Sequence, residues 1–181
     1  PETGETETLS TPLSRSHDVE GLCYDSAQHR LLLACKAKAS KGSHFRHKKA
    51  LYAFDLTTKK LAKAPAYLLD RSDLARRKGG NTGFVARVLE FFESNHAASA
   101  FGPSGVAFCP LNGNLYIIAS VGKTLAVVHS DGQLLHAERL VPTLFPQPEG
   151  LCFDRSGRLF IASEGGKGRG RVLRFSPVAS D

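Results

Sequence analysis

The sequence predicts an all-β fold, a segment of a β-propeller, and three observations predict it. An octet is written twice, D-V-E-G-L-C-Y-D at Asp18–Asp25 and Q-P-E-G-L-C-F-D at Gln147–Asp154. Short runs such as L-Y-I-I-A, L-F-I-A and L-A-V-V-H are rich in the β-branched and aromatic residues that suit a pleated surface. Hairpin dipeptides stand between apolar runs, at Asn112-Gly113, Asp131-Gly132 and Ser156-Gly157.

Each element follows from its local chemistry. Three segments align: V-E-G-L-C-Y-D-S-A-Q-H-R-L-L-L-A-C-K with K-A-L-Y-A-F-D-L-T-T-K-K-L; P-S-G-V-A-F-C-P-L-N-G-N-L-Y-I-I-A-S with T-L-A-V-V-H-S-D-G-Q-L-L; and P-E-G-L-C-F-D-R-S-G-R-L-F-I-A-S-E with G-R-V-L-R-F-S-P. Each reads as strand, tight turn, strand, variable loop, strand. Ala64–Asp70 and Leu134–Val141 supply fourth strands to the first two. The middle unit spans about 45 residues, the length of a propeller blade. The expected blades run over about 18–70, 102–141 and 147–177, within a single domain of residues 1–181. A further strand is expected at about 5–13. An insertion at about 71–101 carries a helical stripe of Phe84, Val85, Val88, Leu89 and Phe92, which predicts one short helix. About twelve strands make three blades, and propellers close with four to eight. Missing blades or a second copy are therefore expected to complete the ring.

These motifs resemble the SdiA-regulated family of β-propeller proteins. The resemblance rests on D-V-E-G-L-C-Y-D, R-L-L-L-A-C-K, K-A-L-Y-A-F-D-L-T-T-K-K-L, G-P-S-G-V-A-F-C-P-L-N-G-N-L-Y-I-I-A-S and Q-P-E-G-L-C-F-D-R-S-G-R-L-F-I-A-S-E, and covers about 8–177. It implies a bacterial protein that is periplasmic, secreted or held at the cell surface as a lipoprotein. It also implies that this chain matches the C-terminal part of the family pattern, lacking about two blades. It implies no catalytic activity.

Strand order sorts the loops without any family. The turns after first and third strands are short, whereas the insertions at 36–49 and 70–101 fall on the opposite face. Loops held by a rigid scaffold carry function, so the elaborated face is the expected recognition face. Glu20 and Glu149 stand at the start of innermost strands on that face, with Ser104 in the equivalent place of the middle repeat. Lys36, Ser120, Ser163 and Glu164 lie at second-strand ends close by. Three readings stay open for this set. The glutamates hold blades in register through backbone hydrogen bonds. Alternatively, Glu20, Glu149, Ser104 and Glu164 bind calcium, which takes six to eight oxygens. In the third reading the set, with His17 and Asp18, binds a polar ligand without metal. Converging carboxylates need a cation, a lysine partner or a raised pKa, and Lys36 is placed to be that lysine.

The remaining features narrow the class. The 181 residues are 41% apolar and 23% charged, ordinary for a globular domain. No apolar run approaches membrane-spanning length, so no transmembrane segment is expected, and the opening P-E-T-G-E-T-E-T is too acidic for a signal peptide. The net charge of +7 concentrates at Lys36–Lys49 and Arg76–Lys78, which admits an anionic partner. Arg46 and His47, with Lys167 on a second loop of the same face, are the candidates for such contacts. The bland alternative is a solvated loop. Cys23, Cys35, Cys109 and Cys152 show no C-x-x-C spacing and read as buried thiols. No G-x-S-x-G and no complete phosphate-loop motif occurs. The expected function is a non-enzymatic binding or scaffold module for an unknown small ligand or protein. The alternatives are a calcium-dependent propeller hydrolase, for which His17 and His129 are the histidines to test, and a polyanion-binding module.

Overall fold

The structure, a computed structural model, describes residue 4, residues 6–70 and residues 101–177. Among these residues the strands form three antiparallel sheets. The first holds β1 (Val19–Asp25), β2 (Arg30–Cys35), β3 (Lys48–Asp55), β4 (Lys60–Leu61) and β5 (Tyr67–Asp70). The second holds β6 (Gly102–Phe108), β7 (Leu115–Val121), β8 (Thr124–Val128) and β9 (Leu134–Arg139). The third holds β10 (Gln147–Phe153), β11 (Leu159–Glu164) and β12 (Arg171–Phe175). Consecutive strands pair throughout the second and third sheets; in the first, β1 to β4 pair in order and β5 pairs with β3. The first strands pack together, with β6 touching both β1 and β10.

Alternation of side chains builds the contacts between sheets. Leu32, Ala34, Leu51 and Leu69 of the first sheet bury against Val106, Leu115, Ile117 and Val128 of the second. On the second sheet's other face, Ile118 buries with Ile161 and Leu151 of the third. Each such apolar side chain contributes about 1.5–3 kcal/mol.

The strand total agrees with expectation, but by a different route. The outer strand of the first sheet is split. Ala62 N–H donates to Ala53 O and Ala66 N–H to Leu51 O, so Lys63–Pro65 bulges between two paired stretches. Pro65 has no N–H to give the ladder there. The strand expected at about 5–13 does not form in residues 6–13. Its apolar residue Leu13 packs beside Tyr52 and Cys35, and Glu7 pairs with Lys59 at 2.6 Å, so the segment lies along the first sheet without joining a ladder. The expected helix at 84–92 lies outside the described residues. No helix among the described residues is long and apolar enough to cross a membrane.

The cysteines are free, as expected, yet only Cys35 and Cys109 are buried. Cys23 is partly covered, and burial, then the Asp25 charge, push its thiol up to about 12. Cys152 is exposed, and no sheet among the described residues covers that side of β10.

The short turns share one device. Asp25, Asp55, Asn112, Asp131 and Asp154 each accept a backbone N–H from two to four residues on. This is how Asx side chains close tight turns. The octet's final aspartate is thereby explained, since Asp25 also pairs with Arg30 and Asp154 with Arg158. Partial desolvation raises Asp154, but the hydrogen bonds from Arg158 and Ser156 outweigh it and hold the carboxyl at about 2. Its contribution to stability is therefore complete above about pH 4 and lost as pH falls through about 2. Urea midpoints measured from pH 4 down to pH 2 are expected to fall less in Asp154→Asn than in the parent.

Candidate functional site

The repeated glutamates stand at a repeated irregularity. The ladder between β1 and β2 shifts register between Val19 and Gly21, that of β6–β7 between Pro103 and Gly105, and that of β10–β11 between Pro148 and Gly150. Glu20, Ser104 and Glu149 are thus each the bulged residue, with no partner across the strand. A bulge re-aims its side chain and bends the strand. The glycine that follows is required by close packing. A Cβ on Gly21 would meet Ala34 Cβ at 3.0 Å and Val106 Cγ1 at 3.5 Å, and one on Gly105 would meet the Glu149 carbonyl oxygen at 2.6 Å. The Glu-Gly and Ser-Gly pairs are therefore the joints where inner strands touch.

Lys36 holds the centre of this hub. Its ammonium donates to Glu20 Oε1 at 2.8 Å. That hydrogen bond, with the charges of Glu20, Asp18 and Glu149, holds Lys36 above its ordinary pKa against the desolvation that lowers it. Glu20 and Glu149 accordingly act on one lysine. Gly102 leaves room for it, because a Cβ there would sit 2.9 Å from Lys36 Cγ.

The hydroxyls at the hub are engaged with backbone. Ser104 Oγ donates towards Pro148 O at 2.9 Å and Ile118 O at 3.3 Å, and accepts from Ser120 N–H at 3.1 Å. Ser163 Oγ accepts from Gln147 N–H at 3.1 Å. The Ser104–Pro148 bond ties the second sheet to the third, and the others lie within one sheet; the register reading assigns such bonds to the glutamates. Glu164 is exposed at the end of β11. No group of three or more His, Cys, Asp or Glu able to hold a metal occurs among the described residues. At the hub Ser104 Oγ is thus engaged with backbone, and Glu20 has the Lys36 ammonium as its partner.

A second place draws the basic residues together. The β1–β2 ladder continues beyond the strands, since Lys36 N–H donates to Asp18 O, Ala37 N–H to His17 O and Lys38 N–H to Ser16 O. Asp18 adopts φ 54°, a left-handed conformation that aspartate tolerates better than most residues. The β2–β3 loop then folds back onto the first sheet. Ala39 buries fully, Phe45 packs beside Tyr52, Tyr52 Oη donates to Ala39 O at 2.9 Å, and Lys49 Nζ donates to Lys36 O at 2.6 Å and Ala37 O at 2.8 Å. The loop thus rests on the sheet through Ala39 and the half-buried Phe45, while Lys41, His44, Arg46 and His47 stay exposed to solvent.

Between this loop and residues 16–17 lies a cleft of about 480 Å³, lined by His17, Lys38, Lys41, Phe45, Arg46 and His47 among others, with no carboxylate in its lining. His17 is fixed there by Ser14 N–H donating to its Nδ1 at 3.0 Å and by edge contact with Tyr52. Three predicted ligand residues, His17, Arg46 and His47, meet in this cleft. Lys167 does not; it is exposed in the β11–β12 turn, as part of the third sheet's rim. Lys38 and Lys41 were legible only as bulk charge. His129 lies in the β8–β9 turn, paired with Asp131 at 3.0 Å, at the opposite end of the strands from His17.

No family model matches the chain, and no curated protein matches it. Solved structures do. A luciferin-regenerating enzyme is 15% identical with a TM-score of 0.53, over 89% of this chain and 45% of its own. A gluconolactonase from Xanthomonas campestris is 16% identical with a TM-score of 0.50, over 94% of this chain and 47% of its own. Both are propeller-like. The fold is a β-propeller segment. The chain spans less than half the length of these structures, and its three blades do not close a ring.

Proposed function

We propose that this chain is a non-enzymatic binding module whose ligand is a compact, multiply charged anion bearing phosphate or sulfate groups, held in the cleft on the elaborated face. One observation carries the reading: His17, Lys38, Lys41, Arg46 and His47 converge on one concave site without a carboxylate in its lining. Cationic groups gathered in this way repel one another, and an anionic guest removes the repulsion. Arg46 offers a planar fork suited to an oxyanion, and the lysines add point charges. A cleft of about 480 Å³ suits a small molecule. The resemblance to the SdiA-regulated family supports a binding or scaffold role, and propeller folds serve many activities, so enzymes among the similar structures do not argue for catalysis here.

Calorimetric titration of the purified chain with inorganic tripolyphosphate tests this. Saturable binding is expected at low salt, weakening steeply as salt rises. Arg46→Ala and Lys41→Ala are each expected to weaken it about tenfold, the loss of one charge-assisted contact, with an unchanged circular dichroism spectrum. No heat at millimolar tripolyphosphate, or equal binding by both variants, overturns the proposal. Calcium chloride is the counter-probe: saturable calcium binding that disappears in Glu20→Gln and Glu149→Gln would move the centre of function to the hub, in line with the calcium and hydrolase readings.

A further inference from the structure

One contact between blades is made twice within the chain, and its two halves are left over at the two end blades. At the first joint Val106 lies on Gly21, where an added Cβ would meet Val106 Cγ1 at 3.5 Å. At the second joint Leu151 lies on Gly105, with Leu151 Cβ 3.4 Å from the same kind of added atom. The two joints use the same register positions. Val106 stands opposite Ile117 and Leu151 opposite Ile161, while Gly21 stands opposite Ala34 and Gly105 opposite Ile118. Each blade therefore has a leading face, with a branched aliphatic residue after its glycine, and a trailing face built on the glycine itself.

Among the described residues, no blade packs on the leading face of the first blade. Its equivalent residue is Leu22, opposite Leu33, and Leu22 is 62% exposed, with Tyr24 beside it 49% exposed. Among the described residues, likewise, no blade packs on the trailing face of the third. There Gly150 stands opposite Ala162, and an added Cβ would meet only Ala162 of its own sheet. On that face Cys152 is exposed and Val172 is 71% exposed. Exposed apolar surface of this kind, matched to contacts the chain already makes, marks an interface.

We infer that a second copy of this chain supplies both missing halves, so that Leu22 and Tyr24 of each copy seat against Gly150, Cys152 and Val172 of the other. The joint is heterologous, using two different surfaces, and each copy carries both, so a pair can satisfy every face by closing on itself. Two sets of three blades give six, within the range in which propellers close. The free part of the leading face lies over β1 and β2, since the β2–β3 loop and Leu13 cover Tyr52 further out, and the third blade is correspondingly narrow, ending at its third strand.

Light scattering coupled to size exclusion, at tens of micromolar protein, is expected to give twice the mass of one chain. Leu22→Asp, at a side chain mostly exposed in the single chain, is expected to halve that mass and to speed alkylation of Cys152 several-fold. Leu22→Cys is expected to form a covalent pair on mild oxidation, and to lose it when Cys152→Ser is added. A parent protein with the mass of one chain overturns the inference and assigns these faces to other blades. An open series of multimers also overturns it, because the joint would then fail to close. So does a covalent pair that survives Cys152→Ser.

Discussion

Gly105→Ala is expected to cost about 3 kcal/mol and to lower the melting temperature by about 10 °C. The reason is the nature of the obstacle. The added methyl would fall 2.6 Å from the Glu149 carbonyl oxygen and 3.0 Å from Ile118 Cγ2. A backbone oxygen in a paired strand cannot swing aside as a long side chain can, so the second and third blades must separate along the whole joint. Overpacking of a dense interior is felt as displaced backbone and strained rotamers. Gly168→Ala is the control: its added Cβ meets only Gly165 O at 3.4 Å, and the change is expected to stay within about 0.5 kcal/mol. Chemical denaturation of the two variants side by side checks the difference. Equal stabilities would mean that the inner strands are not in the contact described.

Asp25→Ala is expected to cost about 3–4 kcal/mol, the range for removing one partner of a buried ion pair. Asp25 is 5% exposed, its Oδ2 lies 2.9 Å from Arg30 Nε, and its Oδ1 accepts Gln28 N–H. Without it, the Arg30 guanidinium stays largely buried without its carboxylate. The double variant Asp25→Ala with Arg30→Leu is expected to recover part of the loss, because both charges leave together. Asp154→Ala at the same place in the other octet is expected to cost far less, since its pair with Arg158 faces solvent. Urea midpoints of the four proteins test the ordering. A double variant as unstable as Asp25→Ala would show that packing, and not charge, governs the site.

These two octets show how far sequence reading reaches. Both share E-G-L-C, an aromatic residue and a final aspartate, yet Cys23 is partly covered by the second blade whereas Cys152 is exposed, and Leu151 is packed whereas Leu22 is not. Nothing in either octet carries that difference, because it depends on whether a neighbouring blade exists on that side. The bulges at Glu20, Ser104 and Glu149 were likewise invisible as bulges, since a bulge belongs to a pair of strands. The basic loop was legible as charge, but its folding into a cleft depends on Tyr52 Oη reaching Ala39 O, on the burial of Ala39 and on the packing of half-buried Phe45. The strand expected at about 5–13 failed for the same reason: T-E-T-L has the composition of a strand, and a strand also needs an edge to pair with.

The sequence by itself determined the strands of the three repeats and their hairpin turns. All of these are set by period-two alternation and by residues within a few positions of one another. The tertiary structure alone decided that Lys36 pairs with Glu20 at the hub and that His17, Arg46 and His47 share one cleft. Those outcomes rest on distances between atoms far apart in the chain, which are set only when the blades pack.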